Sequence, residues 1–214
     1  MEQAGRKTEA EAIEKAPTRR ELQADSTKKR IYDIAIGLMD DRGFADTTIM
    51  EICEKAEVSI GTFYNYFSSK EEIFFDIYKK ADEHFKHSVA RRLDRSGAGA
   101  MGKIVLFFRH YARYNQKQGF NRTNQLYNTK NKLFIVKGRY MQELLRSIIA
   151  VGKSSGEMSS AMDAEEIMDF LFIASRGIVY DWCVKEACYD LEARMDEYMT
   201  RLVSMFAPGR APSP

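Results

Sequence analysis

The stretch Thr47–Phe75, TTIMEICEKAEVSIGTFYNYFSSKEEIFF, holds three signals for the start of a helix. Thr48 is followed three residues later by Glu51, and Ser68 is followed at the same distance by Glu71. A hydroxyl residue with a glutamate three positions on can satisfy free backbone N–H groups reciprocally, as a capping box. Each pair therefore predicts the N-terminus of a helix.

A third, shorter helix is predicted between these two. Ser59 is its expected N-cap, and Val58 and Phe63 are placed to form a hydrophobic staple around that cap. The turn before it has room for only about three or four residues, which is typical of a helix-turn-helix motif. The segment therefore predicts a protein that binds DNA.

The short helix has two chemically different faces. Phe63 and Phe67 are four residues apart and are expected to anchor the helix to the core. Gly61, Tyr64 and Asn65 share another face, where a glycine allows close approach of the backbone and the polar groups can meet base edges. The alternative for the tyrosines is packing on neighbouring helices.

DNA contacts are expected from the two short helices and from basic residues beside them. Thr48, Tyr66 and Lys70 suit phosphate oxygens, helped by the positive end of the following helix. The complete predicted DNA-binding set is Lys28, Thr47, Thr48, Ser59, Ile60, Gly61, Thr62, Tyr64, Asn65, Tyr66 and Lys70.

The string GTFYNYF followed by SSKEEI resembles the DNA-binding domain of the TetR family of bacterial transcription regulators. The resemblance covers roughly residues 27–76 and includes Gly43-Phe44 and Thr47-Thr48 in the expected order. It implies that the residue at Tyr64 reads or packs on DNA and that Lys70 grips a phosphate. The rest of the chain resembles the family in helix content and length.

Three positions depart from the family pattern. Glu57 stands where the family usually has a turn glycine, so it is expected to adopt an unfavourable backbone conformation. Met50 stands where a basic or polar residue is frequent, and Asn65 where His or Arg is common. The operator sequence and phosphate contacts of relatives are therefore less transferable to this chain.

Composition is ordinary for a soluble protein. The chain has 214 residues, of which 44% are hydrophobic and 30% charged, with a formal net charge of +2. This near-neutral balance gives no global signal for nucleic acid, so the basic footprint must be local. The run 28–30 (KKR) and Lys70 are placed to supply it.

The cysteines and the N-terminus predict a cytoplasmic protein. Cys53, Cys183 and Cys188 cannot all pair with one another, and the first 17 residues show no apolar core of a signal peptide. No run approaches the roughly 18 apolar residues of a membrane span. Cys183 and Cys188 would lie on different faces of a helix, so a bridge between them is not expected, while a redox switch between subunits stays open.

The remaining pattern predicts an all-α protein of about nine helices. We expect a mobile N-terminal arm at residues 1–25, a three-helix DNA-binding domain at 26–70, a helical ligand-binding and dimerisation domain at 71–207, and a tail at 208–214. The first helix shows apolar residues at Ile31, Ile34, Ala35 and Leu38. Breaks are predicted at residues 95–99, 118–119, 128–131, 152–156 and 188–190, and a long helix over 70–93 is predicted to join the two domains.

One DNA-binding domain (residues 26–70, the head) covers little DNA, so the helical domain at 71–207 (the body) is expected to form a homodimer. The last two helical patterns, 165–184 and 191–206, are the candidates for a four-helix interface across a two-fold axis. Burial in the core of a single chain is the alternative for each residue. The predicted interface set is Phe170, Ala174, Gly177, Met195, Met199, Leu202 and Phe206.

Aromatic side chains in the body predict a site for a small, largely apolar effector, with polar residues such as Arg139 as handles. An ordinary core is again the alternative, because aromatic residues at helical spacing are common there. The predicted ligand-binding set is Phe107, Phe108, Tyr111, Tyr114, Tyr127, Phe134, Tyr140 and Trp182.

The sequence does not favour an enzyme. It has no phosphate-binding glycine loop, no nucleophile elbow and no H-E-x-x-H motif. His84 and His87 lie three residues apart without a third metal ligand at a suggestive spacing, so no metal and no cofactor are predicted. We expect a transcriptional repressor, released from a near-palindromic DNA operator by an apolar molecule; a helical binding protein without sequence-specific DNA binding is the alternative.

Overall fold

The computed structural model describes residues 18–44, 46–127, 133–159 and 161–209. All regular structure in these residues is helical, as predicted. The helices are α1 (Arg19–Arg42), α2 (Ile49–Lys55), α3 (Ile60–Tyr66), α4 (Glu72–His84), α5 (Ala90–Arg95), α6 (Ala100–Gln118), α7 (Phe120–Leu126), α8 (Tyr140–Ser154), α9 (Ala164–Val184) and α10 (Leu191–Ser204), with a 3-10 turn at Leu133–Ile135.

A π-helical turn at Phe85–Val89 joins α4 to α5 without a break. The described residues therefore form nine continuous helical segments, the number predicted. The segment 72–95, hereafter the rod, matches the helix expected over 70–93. Phe85 and Val89 are both fully buried in this turn. The boundary predicted between Lys70 and Glu71 falls in the turn just before the rod.

Two of the three helix starts predicted in Thr47–Phe75 are formed as predicted. The Thr48 hydroxyl accepts the Glu51 N–H at 3.2 Å, while the Glu51 carboxylate accepts the Thr48 N–H at 2.9 Å. These bonds, together with the Arg42 guanidinium 3.0 Å away, lower the pKa of Glu51. Ser59 caps α3 by accepting the Thr62 N–H at 3.0 Å.

The second capping box, Ser68 with Glu71, was predicted at the wrong residues. α4 begins at Glu72, and Glu71 makes no side-chain cap. The Ser68 N–H instead donates to the Glu72 carboxylate, and the Glu72 N–H donates to the Ser69 hydroxyl at 3.3 Å. The chain bends at residues 68–71 before it becomes helical, which shifts the glutamate partner by one residue.

The first helix starts earlier than predicted. α1 begins at Arg19, so residues 19–25, which were predicted to lie in the arm, are helical. Residues 1–17 lie outside the described residues. Ile31, Ala35 and Leu38 are buried, as their spacing indicated.

The turn between α2 and α3 contains the strained residue that the sequence indicated. Glu57 has a φ of +52°, a left-handed conformation that glycine adopts more readily. The conformation brings the Val58 N–H to the Cys53 carbonyl at 3.0 Å. The connection is therefore tight although its usual glycine is missing.

In the body, α6 packs along α10 and α8, and α9 packs on α8 and α10. The break predicted at residues 152–156 comes slightly later, because α8 continues through Gly152 to Ser154. Gly152 sits where a Cβ atom would lie 2.7 Å from both the Ala100 Cβ and the Met158 Sδ. Gly152 therefore permits close packing of α8 against the start of α6 and against Met158, and it does not end the helix. The break predicted at 128–131 lies outside the described residues.

Within the described part of the chain, no helix combines the length and apolar character needed to cross a membrane.

Candidate functional site

The exposed face of α3 carries the side chains predicted to read DNA. Tyr64 is 52% exposed and Ile60 is 50% exposed, and both Gly61 and Asn65 are exposed. Phe63, on the opposite face, is fully buried and anchors the helix. The helix therefore presents Gly61, Tyr64 and Asn65 together to the solvent.

Gly61 is open on its outer side. A Cβ atom built there would have the Ser59 hydroxyl oxygen, at 3.7 Å, as its nearest neighbour within 4 Å. That is an ordinary van der Waals contact, so nothing in the free protein requires a glycine here. A second molecule lying against α3 would supply such a requirement.

A recess of about 350 Å³ lies between the start of α2, the outer face of α3 and the bend before α4. Its lining is rich in hydroxyl groups and contains one lysine. The residues that line it are Thr47, Thr48, Ile49, Tyr64, Ser68, Ser69, Lys70 and Glu71. Four of the residues predicted to contact DNA are therefore brought to one concave surface, and hydroxyl and ammonium groups are donors suited to phosphate oxygens.

Lys70 fixes this recess to the loop between α1 and α2. Its ammonium group donates to the Phe44 carbonyl at 2.5 Å and to the Thr47 carbonyl at 2.6 Å, and it lies 4.1 Å from the centre of the Phe44 ring. An ammonium group has three N–H donors, so these bonds leave one donor and the positive charge for a ligand. Lys70 thus has a structural role that the sequence did not indicate.

Thr47 is a wrong prediction as a side-chain contact with DNA. Its side chain is fully buried, and its hydroxyl donates to the Gly43 carbonyl at 2.8 Å. It closes the loop after α1 from the inside. Only the neighbouring Thr48 is exposed, with its hydroxyl also donating to the Glu51 carboxylate at 2.8 Å.

The remaining predicted contacts fall at the edges of the α3 surface. Ser59 and Thr62 share a hydroxyl–hydroxyl bond of 2.9 Å at the helix cap. Tyr66 is half-buried and packs against the core. Lys28 forms an ion pair of 3.5 Å with Asp76 and lies 5.3 Å from the Phe67 ring, beside the end of α3.

Met50 is a surface residue that the prediction of contacts left out. It is 67% exposed at the start of α2, the highest exposure among the large apolar residues of the head. Its place in the first turn of α2, two residues after the predicted contact Thr48, was a usable signal.

In the body, part of the predicted ligand-binding set forms one ring cluster. Phe107, Phe108 and Tyr111 each lie within 6.3 Å of the Phe172 ring, measured between centroids. Phe85 of the π turn joins them at 4.9 Å from Phe107. Phe85 and Phe172 were not among the predicted ligand-binding residues.

A second ring cluster continues from the first. Tyr127 and Phe134 are 4.8 Å apart, and Tyr78 on α4 lies 5.7 Å from Phe134. The hydroxyl groups of Tyr111 and Tyr127 are 2.5 Å apart and connect the two clusters. Burial raises the pKa of both tyrosines, so the pair is uncharged at neutral pH.

The other predicted ligand residues make their contacts elsewhere. Tyr114 stacks with His84 at 5.3 Å, and Trp182 lies 6.2 Å from Phe120 while its indole N–H donates to the Tyr189 carbonyl at 2.9 Å. Tyr140 is half-buried at the start of α8. The predicted set therefore does not line a single surface.

Three members of the predicted dimer interface lie in the core of the single chain. Met195 and Met199 are fully buried and Phe206 is only 5% exposed, so they are not available to a second chain. The reason is the close packing of α10 along α6. These three assignments are wrong.

The outer face of α9 is instead an exposed apolar stripe. Phe170, Ala174 and Gly177 lie along it at helical spacing. Ile173, Tyr180 and Val184, which were not in the predicted interface set, also lie on the stripe and are 63%, 57% and 61% exposed. On α10 and just after it, Tyr198 and Met205 are 43% and 51% exposed, and the predicted residue Leu202 is half-buried. α9 has apolar residues on its outer face as well as on the face that meets the core. Such a pattern indicates that the outer face is also covered, and it was visible in the sequence.

The three cysteines are free thiols, with Cys53 and Cys183 buried and Cys188 exposed. Among the described residues, no group of three or more His, Cys, Asp or Glu side chains is arranged to hold a metal ion.

Two family models match the chain. The model of "Bacterial regulatory proteins, tetR family" matches residues 31–77, and that of "YsiA-like protein, C-terminal region" matches residues 122–205. Together they span more than half of the sequence, including α3 and the outer face of α9.

Known relatives have the names of regulators. The chain is 23% identical over 182 residues to the fatty acid metabolism regulator protein of Bacillus subtilis, covering 82% of this chain and 93% of the relative. It is 20% identical over 200 residues to the probable acrEF/envCD operon repressor of Escherichia coli, covering 89% and 91%.

Among solved structures, FadR of Thermus thermophilus in complex with lauroyl-CoA has the same fold. The TM-score is 0.66 at 24% identity, over 87% of this chain and 98% of that one.

Proposed function

The chain belongs to the TetR family of bacterial regulatory proteins, and we propose that it is a repressor that an effector releases from a near-palindromic operator. It is a ligand-responsive, DNA-binding transcriptional regulator. We also propose the direction of control, the contacts to DNA, the dimer and the nature of the effector. We further propose that it acts in the cytoplasm.

The α3 surface carries the proposal for DNA. Tyr64, exposed on the same helix face as Gly61 and Asn65, lines a recess that holds Lys70 and several hydroxyl groups. We assign base contacts to Tyr64 and Asn65 and phosphate contacts to Thr48 and Lys70. Thr47 is not part of this proposal.

Recovery of genomic fragments bound by the purified protein tests DNA binding directly. The affinity for a recovered fragment should fall steeply with salt, because phosphate contacts release counterions. Lys70→Ala should weaken binding to every sequence and reduce the salt slope by about one unit, whereas Tyr64→Ala should lose discrimination between the recovered fragment and unrelated DNA. Arg95→Ala, at the far end of the rod, is the matched control and should leave both properties unchanged.

A helical binding protein without sequence-specific DNA binding is the alternative. It would recover no enriched fragment, and any weak association with DNA would not discriminate between sequences. Equal, salt-independent binding by the wild type and both variants would contradict the proposed contacts.

The α9 stripe supports a two-fold homodimer. Exposed apolar residues along a whole helix face are costly in water, and a second copy of the same face would bury them in a four-helix arrangement with α10. A dimer of this kind places two reading helices about 34–36 Å apart, or a multiple of that distance.

Charged substitutions separate the interface from the core. Ile173→Glu changes a side chain that is 63% exposed in the single chain, so it should give a folded monomer. Met195→Glu places a charge in the buried core and should give unfolded or insoluble protein. A wild type that is monomeric at micromolar concentration in sedimentation experiments would refute the dimer.

We propose that the effector is largely apolar and lies among the ring clusters around Phe172 and Phe134. A fatty-acyl chain is our first candidate, supported by the relative named for fatty acid metabolism and by the lauroyl-CoA in the similar structure. An effector raises the melting temperature of the protein that it binds and, as an inducer, weakens its operator affinity. Compounds that stabilise the protein yet leave operator affinity unchanged would contradict the inducer role.

A further inference from the structure

Arg176, in the middle of α9, is a half-buried cation beside the second ring cluster. We propose that Arg176 binds an anionic group of the effector, so that the effector is an amphiphile with an acidic end and an apolar body. This inference rests on the proposed regulatory function, because it names the chemistry of the ligand that would control it.

Three other half-buried arginines of the body, Arg109, Arg113 and Arg139, have carboxylate partners. Arg109 pairs with Asp196 at 2.5 Å, and Arg113 binds both oxygens of Glu192 at 2.8 and 2.5 Å. Both pairs join α6 to α10. This is the usual arrangement, because a charge removed from water is costly unless a counter-charge accompanies it.

Arg139 follows the same rule close to the ring clusters. Its guanidinium donates two hydrogen bonds of 3.1 Å to Asp82 on α4 and stacks on Tyr78 at 4.5 Å. Asp82 also accepts the Met141 N–H at 3.3 Å. The Asp82 carboxylate is therefore engaged with Arg139 and the start of α8.

Arg176 differs from all three. Within the described residues no carboxylate oxygen lies within 4.0 Å of it, and its protein contacts are a long bond of 3.5 Å to the Phe134 carbonyl and a ring contact of 5.8 Å to Phe134. A guanidinium has five N–H donors, so most of them are left for water or a ligand. The residue is thus a charged donor group without a counter-charge at the edge of an apolar region.

The surroundings of Arg176 determine which ligand would suit it. Phe134 lies between Tyr127 and Tyr78, and the uncharged Tyr111–Tyr127 pair leads to the rings around Phe172. Asp82 and Arg139 neutralise each other, so among these three described side chains the positive charge of Arg176 remains. A molecule with one anionic group against Arg176 and an aliphatic or aromatic body among the rings would complement both.

The same arrangement would couple the proposed ligand site to the DNA-binding domain. Tyr78 and Asp82 belong to α4, the rod whose first turn follows Lys70. A ligand that separates Phe134 from Tyr78 would therefore move a side chain of the rod itself. Coupling between effector and operator would pass through one continuous helix.

Three probes with the same twelve-carbon chain test the inference in the absence of DNA: laurate, lauroyl-CoA and dodecanol. Binding of each to the wild-type protein is measured by calorimetry or displacement of a fluorescent lipid. At least one of the two anions should bind tenfold or more tightly than dodecanol, because a charge-assisted hydrogen bond contributes about a tenfold to hundredfold gain. Preference for laurate identifies a carboxylate as the anionic group, and preference for lauroyl-CoA identifies the phosphates.

Arg176→Gln removes the charge and shortens the side chain, but keeps a polar end group that can donate hydrogen bonds. It should reduce the affinity of the favoured anion to near that of dodecanol, while the affinity for dodecanol stays within about twofold. Arg176→Lys should keep part of the preference. Arg194→Gln is the matched control, because Arg194 also lies over aromatic rings, Tyr189 and Tyr198, but on the exposed face of α10.

Three outcomes would overturn the inference. The first is a wild type that binds dodecanol as tightly as both anions, the second is a wild type that binds neither anion, and the third is an Arg176→Gln variant that loses all three probes equally. Failure of the regulatory proposal is distinguishable, since it would appear as absent or salt-independent DNA binding with the anion preference intact.

Discussion

Replacing Gly61 with alanine separates the needs of the folded protein from those of DNA binding. In the free protein, the new methyl group would have the Ser59 hydroxyl, 3.7 Å away, as its nearest neighbour. Alanine is favoured over glycine in a helix by up to about 1 kcal/mol. For a chain of this size, that corresponds to a rise of about 1–4 °C in melting temperature.

The same methyl group should weaken DNA binding. Gly61 lies on the face of α3 that we propose enters the major groove, so a Cβ atom there would hold the backbone away from the bases. The loss of close base contacts should cost about 1–3 kcal/mol, a factor of roughly five to 150 in affinity. Stability and affinity are therefore expected to change in opposite directions.

Gly37→Ala is the matched control. Gly37 is an exposed glycine within α1, and a Cβ atom built there would have no neighbour within 4 Å. It should raise the melting temperature by a similar amount and leave DNA affinity unchanged. Both variants are compared by thermal unfolding and by fluorescence anisotropy with a recovered fragment, and unchanged affinity in Gly61→Ala would refute a close approach of α3 to DNA.

Three further results are expected. Lys70→Met removes two hydrogen bonds to loop carbonyls and should lower the melting temperature as well as DNA affinity, whereas a variant with unchanged stability would contradict the structural role. Burial lowers the pKa of His84 and His110 in the folded chain, so as the pH falls the unfolded chain binds protons at these residues before the folded chain does. The free energy of unfolding should therefore be highest above about pH 6.5 and decrease below it. The double variant His84→Gln/His110→Gln should show a weaker decrease of stability below that pH. Gly152→Ala places a methyl group 2.7 Å from two core atoms and should destabilise by about 1–3 kcal/mol in denaturant unfolding, opposite in sign to Gly37→Ala.

Local sequence determined the features that depend on residues close together in the chain. The caps of Thr48 and Ser59 were predictable because donor and acceptor are only three residues apart. The outward face of α3 was predictable because helical periodicity separates Phe63 from Tyr64. The positive φ of Glu57 was predictable from the resemblance to a family with a glycine at that turn.

Only the tertiary structure decided features that depend on distant residues. The Lys70 acceptors lie 26 and 23 residues away in the chain, so no local pattern shows that its charge is partly used inside the head. Thr47 and Thr48 are adjacent and similar in chemistry, yet the fold buries the first and exposes the second.

The same limit explains the body. Met195 and Ile173 are both apolar residues in apolar helices, and their composition does not say which one faces the chain's own core. That choice follows from the packing of α10 on α6, which buries Met195 and leaves Ile173 in solvent. The counter-charges of Arg109, Arg113 and Arg139, and their absence near Arg176 in the described residues, likewise follow from contacts between helices far apart in sequence. Periodicity fixes which residues share a face of a helix, but only the packing of the helices fixes what that face meets.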